Sequence, residues 1–231
     1  MKKLLSLAVA AFALAAMADY AGQTIGVTKI TTTNQNTIVA VPFTSLTNSL
    51  VNISANDLVS TNGLPADTVL QVFKNDQYYG WQLDRNTGWV AVGDSSTSAA
   101  AVIANSTIAC GGAIWVVLPD APATSQDIYI YGDFTEEPTE SSIVAGVANL
   151  IANPLQSDAT VALSGTPAKG DVIIIPTDGA AESYSYGRGG WVNNGVSFDL
   201  AFITVKVGQG FWYVSKSTTG VTKVTWSAKS N

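Results

Sequence analysis

Four short segments occur in the same order in both halves of this 231-residue chain, and this repetition constrains the fold more than any other feature. The matched pairs are residues 38–43 with 150–155, 67–70 with 171–174, 88–90 with 190–192, and 111–117 with 208–214. The separation between partners falls from 112 to 97 residues along the chain, as loop shortening in a second copy would produce. The repeat predicts two similar domains in tandem, the alternative being two β-domains that share the pattern by convergence.

The local sequence is typical of β-structure, because short segments rich in β-branched and aromatic residues are bounded by turn residues. We expect strands at residues 37–43, 68–73, 108–118, 128–131, 172–175, 202–207, 210–214 and 221–226. Residues 86–88 and 188–190 predict hairpin turns. Helical periodicity is weak, and only residues 142–152 could form a short helix. The predicted fold is therefore all-β, with two tandem small β-sandwich or barrel-like domains arising from an internal duplication.

Residues 1–18 have the features of a secretory signal peptide. Lys2 and Lys3 precede an apolar stretch, and Ala16 and Ala18 supply the small residues that signal peptidase requires. A retained N-terminal anchor is the alternative. No later apolar run approaches the ~20 residues of a membrane helix. We therefore expect a secreted, extracellular or cell-surface bacterial protein with no membrane span after signal cleavage.

The rest of the chain divides into two predicted domains. The first covers residues 19–134 and begins with an extended segment at 19–33. An acidic linker at 135–142 separates it from the second domain at 143–231. Whether this linker binds calcium stays open, because the spacing of its acidic residues matches no calcium-binding loop.

Composition argues against nucleic-acid binding and against catalysis. The formal charge is −6 and histidine is absent, whereas nucleic-acid binding needs clustered Lys and Arg and catalysis most often uses His as the base. Asp67 and Asp171 each precede a predicted strand, where a carboxylate accepts hydrogen bonds from turn N–H groups. Cys110, the single cysteine, is expected to be buried and unreactive. We expect no enzyme activity, no cofactor and no metal site.

Two groups of aromatic residues carry further predictions. Four tryptophans recur in both halves and are expected to have the same core role in each repeat: Trp89, Trp115, Trp191 and Trp212. Tyr78, Tyr79 and Trp81 cluster in the sequence and could stack on sugar rings, since a flat apolar face complements the C–H face of a pyranose. Cross-strand aromatic packing is the alternative for these three residues.

The repeated pattern reads Ile/Leu-x-Ala-x-Pro, then Asp before an apolar strand, then Gly-Trp-Val, then Gly-x-Gly/Ala-Phe/Ile-Trp-x-Val. It resembles a family of secreted bacterial proteins with one or two copies of a β-rich domain ending in a Gly-x-Gly-Phe-Phe-Val-like strand. That strand is residues 208–214 here and, in degraded form, 111–117. Val41 and Ala113 stand where the family has Asn and Gly. The resemblance implies an exported β-rich protein and assigns no activity.

Export, duplication and a charged fraction of only 12% favour a structural or assembly protein of the cell surface, such as a filament or coat subunit. The extended segment carries Ile25, Val27 and Ile30, which a neighbouring copy could accept by β-strand addition. Pairing of this segment with its own sheet is the alternative. The expected partner is therefore another copy of the chain. The alternative function is a carbohydrate-binding module that uses exposed aromatic residues, with a polysaccharide as its partner.

Overall fold

The computed structural model describes residues 25–43, 52–54, 58–74, 76–93, 98–133, 140–177 and 180–229. The predicted signal peptide, residues 19–24 of the extended segment and residues 135–139 of the linker lie outside the described residues. Every pair of strands is antiparallel, and one α-helix is present among the described residues. The prediction of an all-β fold is confirmed.

The first half is built from a five-stranded sheet and two strand pairs. Its elements are β1 (Ile25–Thr32), β2 (Asn36–Ala40), β3 (Asn52–Ser54), β4 (Val69–Lys74), β5 (Gln77–Asp84), β6 (Gly88–Val92), α1 (Ala99–Asn105), β7 (Thr107–Ala109), β8 (Ala113–Val117) and β9 (Gln126–Asp133). The sheet has the order β2-β8-β4-β5-β6, while β1 pairs with β9 and β3 pairs with β7. Buried side chains from both layers, such as Leu70 and Ile128, belong to one hydrophobic core.

The second half is a sandwich of a six-stranded and a four-stranded sheet. Its strands are β10 (Glu140–Ser142), β11 (Ala148–Ala152), β12 (Ala159–Ser164), β13 (Val172–Thr177), β14 (Ala180–Gly187), β15 (Gly190–Asn193), β16 (Val196–Phe198), β17 (Thr204–Val205), β18 (Gly210–Val214) and β19 (Lys223–Ala228). The orders are β11-β18-β13-β14-β15-β16 and β10-β19-β12-β17. Ile173 and Phe211 of the larger sheet share a core with Val224 and Trp226 of the smaller sheet.

The large sheets of the two halves have corresponding strand orders. The strands β2, β8, β4, β5 and β6 follow one another across the first sheet as β11, β18, β13, β14 and β15 do across the second. Trp115 and Trp212 lie in the corresponding strands β8 and β18, and Trp89 and Trp191 lie in β6 and β15. This agreement is what an internal duplication would leave, although the duplication itself stays a prediction.

Four sequence-based expectations differ from the observed elements. Only Thr204–Val205 of the strand expected at 202–207 forms a strand, because the segment Leu200–Phe202 is a 3₁₀ helix. The strand expected at 108–118 is two strands, because Gly111 has a φ of 84° and forms a turn between β7 and β8. Residues 142–152 contain no helix and supply the end of β10 and all of β11. Helix α1 was not predicted; it begins after Ser98, whose hydroxyl accepts a hydrogen bond from the Ala101 N–H.

One of the repeat matches is wrong by one residue. The Leu83 N–H donates to the Thr68 carbonyl at 2.8 Å, and the Tyr186 N–H makes the corresponding bond to the Asp171 carbonyl at 2.8 Å. Asp171 therefore corresponds to Thr68. Asp67 corresponds instead to Gly170, and both have a positive φ, 64° and 93°. The sequence alone favoured aligning the two aspartates because they are chemically identical.

The N-terminal segment has a counterpart in the second half. β1 pairs with β9 over eight residues, from Ile25 opposite Asp133 to Thr32 opposite Gln126. β10 pairs in the same way with β19, although over only three residues. Residues 140–142, which we expected in the linker, therefore belong to the second sandwich, and what distinguishes β1 is its greater length.

Candidate functional site

The two halves meet through backbone contacts that occur twice with the halves exchanged. The Ala40 N–H donates to the Gly208 carbonyl at 3.0 Å, and the Ala152 N–H donates to the Gly111 carbonyl at 3.2 Å. Ala40 and Ala152 end the corresponding strands β2 and β11. Gly111 precedes β8, the partner of β2, and Gly208 precedes β18, the partner of β11. Such reciprocity is characteristic of a two-fold, self-complementary interface, here within a single chain.

Small residues let the strands of the two halves approach each other. Ala40, Ala113 and Ala152 form a buried cluster against which Ile38 and Leu150 pack. Gly111 and Gly208 have φ values of 84° and 74°, a conformation that favours glycine. The strands β2 and β8 of the first sheet thereby pack against β11 and β18 of the second sheet.

Four aromatic residues lie at this interface. The ring centroids of Trp115 and Trp212 are 6.4 Å apart, and Phe73 of the first half lies 4.8 Å from Trp212 of the second half. Tyr78 lies 6.1 Å from Trp115 and 6.4 Å from Trp212. All four pairs have edge-on geometries that favour aromatic attraction. Phe73 and Tyr78 were not expected here, since the sequence does not show which face of β4 and β5 meets the other half.

The tryptophans predicted to form the repeat core fall into two sets. Trp89 and Trp191 are buried inside their own halves, at 7% and 6% exposure. The Trp89 Nε1–H donates to the Val59 carbonyl at 2.7 Å. Trp115 and Trp212 are only half-buried and contact each other on the outer faces of their sheets. Trp89 and Trp191 therefore lie in the cores of their own halves, whereas Trp115 and Trp212 lie at the interface between the halves.

The three residues expected to stack on sugar do not form a common exposed surface. Tyr79 and Trp81 are 6% and 5% exposed and belong to the first core, whereas Tyr78 is 41% exposed. The physical reason is strand alternation: Tyr79 and Trp81 point to the same face of β5 as Leu83, and Tyr78 points to the opposite face. The sugar-stacking prediction is wrong for Tyr79 and Trp81.

An open cleft of about 1190 Å³ lies beside the aromatic residues, between the two halves. Apolar residues of both halves contribute to its surface, including Ile38, Trp115, Ile174 and Trp212. The end of β1, the connection to β2 and the start of β2 supply hydroxyl and amide side chains, Thr31, Thr33, Asn34, Gln35 and Asn36 among them. Lys206 is the one charged residue among the described lining residues. The cleft thus joins a broad aromatic surface to neutral hydrogen-bonding groups, and it is the strongest candidate site.

The segment expected to join copies is the edge strand β1. Val27 is 51% exposed, and Ile30 is half-buried against the first core and also lines the cleft. Ile25 lies opposite Asp133 at the start of the strand. The structure thus shows the self-paired arrangement, which was the alternative to strand donation.

The two aspartates of the repeat have different surroundings. Asp171 is 1% exposed and accepts hydrogen bonds from the Ala168 N–H at 2.9 Å, the Lys216 N–H at 2.7 Å and the Tyr213 hydroxyl at 2.7 Å. Burial, reinforced by the bond to this carboxylate, raises the pKa of Tyr213. Asp67 is exposed and accepts from Gln82. The contacts of Asp171 agree with the expected acceptance of backbone N–H groups, whereas the Asp67 carboxylate accepts from a side chain instead.

Cys110 lies in the turn before β8 and is half-buried rather than fully buried. Burial raises the pKa of its thiol to about 11. Because the thiolate is the reactive form, native protein at pH 7.5 should react with iodoacetamide roughly a hundredfold more slowly than protein in urea. The rate in native protein should rise about tenfold per pH unit up to that pKa. Mass spectrometry of timed samples measures this, and equal rates in buffer and urea would contradict it.

Two further observations concern the described residues only. No three potential metal ligands among His, Cys, Asp and Glu lie close enough together there to hold an ion. None of the helices described there has the length and apolar character needed to cross a bilayer. Glu136 and Glu137 of the acidic linker lie outside the described part of the chain.

The resemblance to a secreted bacterial family stays a prediction, because the comparisons with known proteins do not test it. No family model matches the chain, and neither a curated protein nor a solved structure is significantly similar to it.

Proposed function

We propose that this protein is an exported, non-enzymatic structural protein that assembles by exchange of strand β1 between copies. The observation that carries the proposal is the pairing of β1, which covers eight residues on the edge of β9. Because β1 pairs with β9 alone, it can leave its sheet without breaking any other strand pair. The same edge of β9 can then accept β1 of a neighbouring copy.

The register of β1 is held by side chains on both of its faces. On the exposed face, Lys29 forms an ion pair with Asp127 at 2.9 Å, and the Thr31 hydroxyl donates to the same carboxylate at 2.7 Å. On the other face, Ile30 packs against the first core. An exchanged strand would regain every one of these contacts in the neighbouring copy, so exchange costs little apart from the entropy of association.

The exchange could propagate without limit. Each copy would donate β1 and accept β1 at different places on its surface, and such a heterologous contact need not close into a ring. Residues 33–35 connect β1 to β2 and would serve as the hinge. If the signal peptide is cleaved as predicted, β1 becomes free to move only after export, which would restrain premature polymerisation.

A disulfide between β1 and β9 tests the exchange. Lys29 lies directly opposite Tyr129, and both can be replaced by cysteine in a Cys110→Ser background. We expect the assembled protein, after oxidation, to run as a ladder of covalent multimers on a non-reducing gel. Intramolecular pairing would instead give a single monomer band.

Two controls accompany this experiment. The single variants Lys29→Cys and Tyr129→Cys should give no ladder longer than a dimer. Deletion of residues 19–33 should abolish particles larger than a monomer in sedimentation velocity. A protein that stays monomeric before and after deletion, or a doubly substituted polymer that oxidises only to monomer bands, would rule out strand exchange.

A further inference from the structure

The reciprocal interface between the halves creates two corresponding grooves, and side chains fill one of them. Phe73 and Tyr78 lie opposite each other on β4 and β5 of the first half. Both reach Trp212 of the second half, with ring centroids at 4.8 Å and 6.4 Å. The turn between β4 and β5 also touches the second half, since the Asp76 carboxylate accepts a hydrogen bond from the Ala148 N–H at 3.4 Å. This groove is closed by an aromatic plug.

The other groove lacks such a plug. Gln71 of β4 pairs with Trp115, and Ile174 of β13 pairs with the corresponding Trp212, so Gln71 and Ile174 correspond to each other. The residues two positions further along these strands therefore correspond as well. The counterpart of Phe73 is therefore Pro176. Ala181 lies opposite Pro176 and is the counterpart of Tyr78.

Both small residues line the open cleft, together with Trp115. The loss of two aromatic rings at these positions explains why the molecule has an open cleft on one side of its pseudo-two-fold axis and a filled groove on the other.

We propose that this cleft binds a neutral carbohydrate chain. One sugar ring would lie beside Trp115, in the position that Phe73 takes beside Trp212 in the filled groove. A pyranose has one apolar C–H face and a rim of hydroxyl groups. An indole ring complements the face, and amide and hydroxyl side chains complement the rim. The inference does not depend on strand exchange.

The lining residues favour a neutral sugar over other ligands. Asn34 and Asn36 can each donate and accept hydrogen bonds, which suits sugar hydroxyls. Gln35 donates through Nε2 to the Pro119 carbonyl at 3.0 Å, and its amide oxygen is left as an acceptor. Lys206 alone offers too little positive charge for a polyanion, and the described lining includes no carboxylate for a cation. An entirely apolar ligand would leave the side-chain amides of Asn34 and Asn36 without hydrogen-bond partners as it covered them.

Filling the cleft with the chain's own plug provides the test. The variant Pro176→Phe/Ala181→Tyr places the aromatic pair of the filled groove into the open one, at a half-buried and an exposed position. Wild-type protein is run in native gels containing hydroxyethylcellulose, dextran or galactomannan, and in gels containing polygalacturonate. We expect retardation by at least one neutral polymer and none by the polyanion. The filled variant should bind the neutral polymer at least tenfold more weakly.

Ser185→Tyr is the matched control, since it adds an aromatic ring to an exposed position further along β14 and outside the cleft. It should bind as the wild type does. If the double variant fails to fold, the single variant Ala181→Tyr, at an exposed site, gives the same comparison.

Three outcomes would overturn the proposal. These are no retardation in any of the three neutral gels, unchanged binding by the filled variant, and an equal loss of binding in Ser185→Tyr. If filling the cleft instead abolishes self-association of the wild-type protein while no sugar polymer binds, the occupant is a second copy and the carbohydrate proposal is wrong.

Discussion

The Asp171→Ala variant should lose about 3–5 kcal/mol of unfolding free energy. The carboxylate accepts three hydrogen bonds at 2.7–2.9 Å, from the Ala168 N–H, the Lys216 N–H and the Tyr213 hydroxyl. Removing it leaves these donors without their acceptor around a side chain that is only 1% exposed. Each donor that stays buried and unpaired costs roughly 1–3 kcal/mol. Urea unfolding followed by tryptophan fluorescence measures the loss.

A conservative pair of variants isolates the cause. Asp67→Asn should change stability by less than about 0.5 kcal/mol, because the side chain is exposed and Asn tolerates the positive φ at this position. Asp171→Asn keeps the shape but puts an amide donor where an acceptor is needed, and it should lose at least about 2 kcal/mol. Equal losses at the two positions would mean that the repeat places them in equivalent surroundings after all.

Local signals were sufficient to predict about half of the observed strands. The segment 210–214 matches β18 at both ends, and the glycines at 88 and 190 mark hairpin turns with φ values of 80° and 114°. Such features depend on neighbouring residues alone, since β-branched side chains favour extended backbone and glycine favours the left-handed region. Helix α1 was missed because its seven residues are too few for a helical period to emerge, and its capping residue Ser98 is also a common turn residue.

Properties that depend on register were harder to predict. The correspondence between Thr68 and Asp171 became visible only through the backbone bonds of Leu83 and Tyr186, because one inserted residue reverses which side chains face the core. The same alternation decides the role of the aromatic residues in β5. Leu83 is in phase with Tyr79 and Trp81, and that signal could have identified them as core residues before the structure was known.

The candidate site could not be predicted, since it depends on how the halves meet. Ile38 and Ala40 make the outer face of β2 apolar, and this shows that the face is covered without showing by what. The filled groove has Phe73 and Tyr78 where the open cleft has Pro176 and Ala181. These substitutions gain meaning only when the two-fold relation between the halves is known.

The Gly210→Val variant should lose about 2–3 kcal/mol of unfolding free energy, because it forces the two halves apart. A Cβ atom at Gly210 would overlap Ile38 Cγ2 of the first half. It would also lie 3.0 Å from the Ile151 carbonyl oxygen and 3.3 Å from Ala113 Cβ. Ile38 can shift, but the backbone carbonyl of β11 is held by pairing with β18. Urea unfolding gives the loss of stability.

A valine at Gly189 is the control for the general effect of replacing glycine by valine, because a Cβ atom there would meet no described atom within 4 Å. Gly189→Val should cost less than about 1 kcal/mol, since it lies in an exposed turn. A smaller substitution at the first site, Gly210→Ala, should fall between the two, at about 1–2 kcal/mol. The corresponding strand β8 carries Ala113 at this position, so a Cβ atom is tolerated on one side of the pseudo-two-fold axis. If Gly210→Val proved as stable as Gly189→Val, the two halves would not approach each other closely at β18. The cleft could then not be formed between them as described.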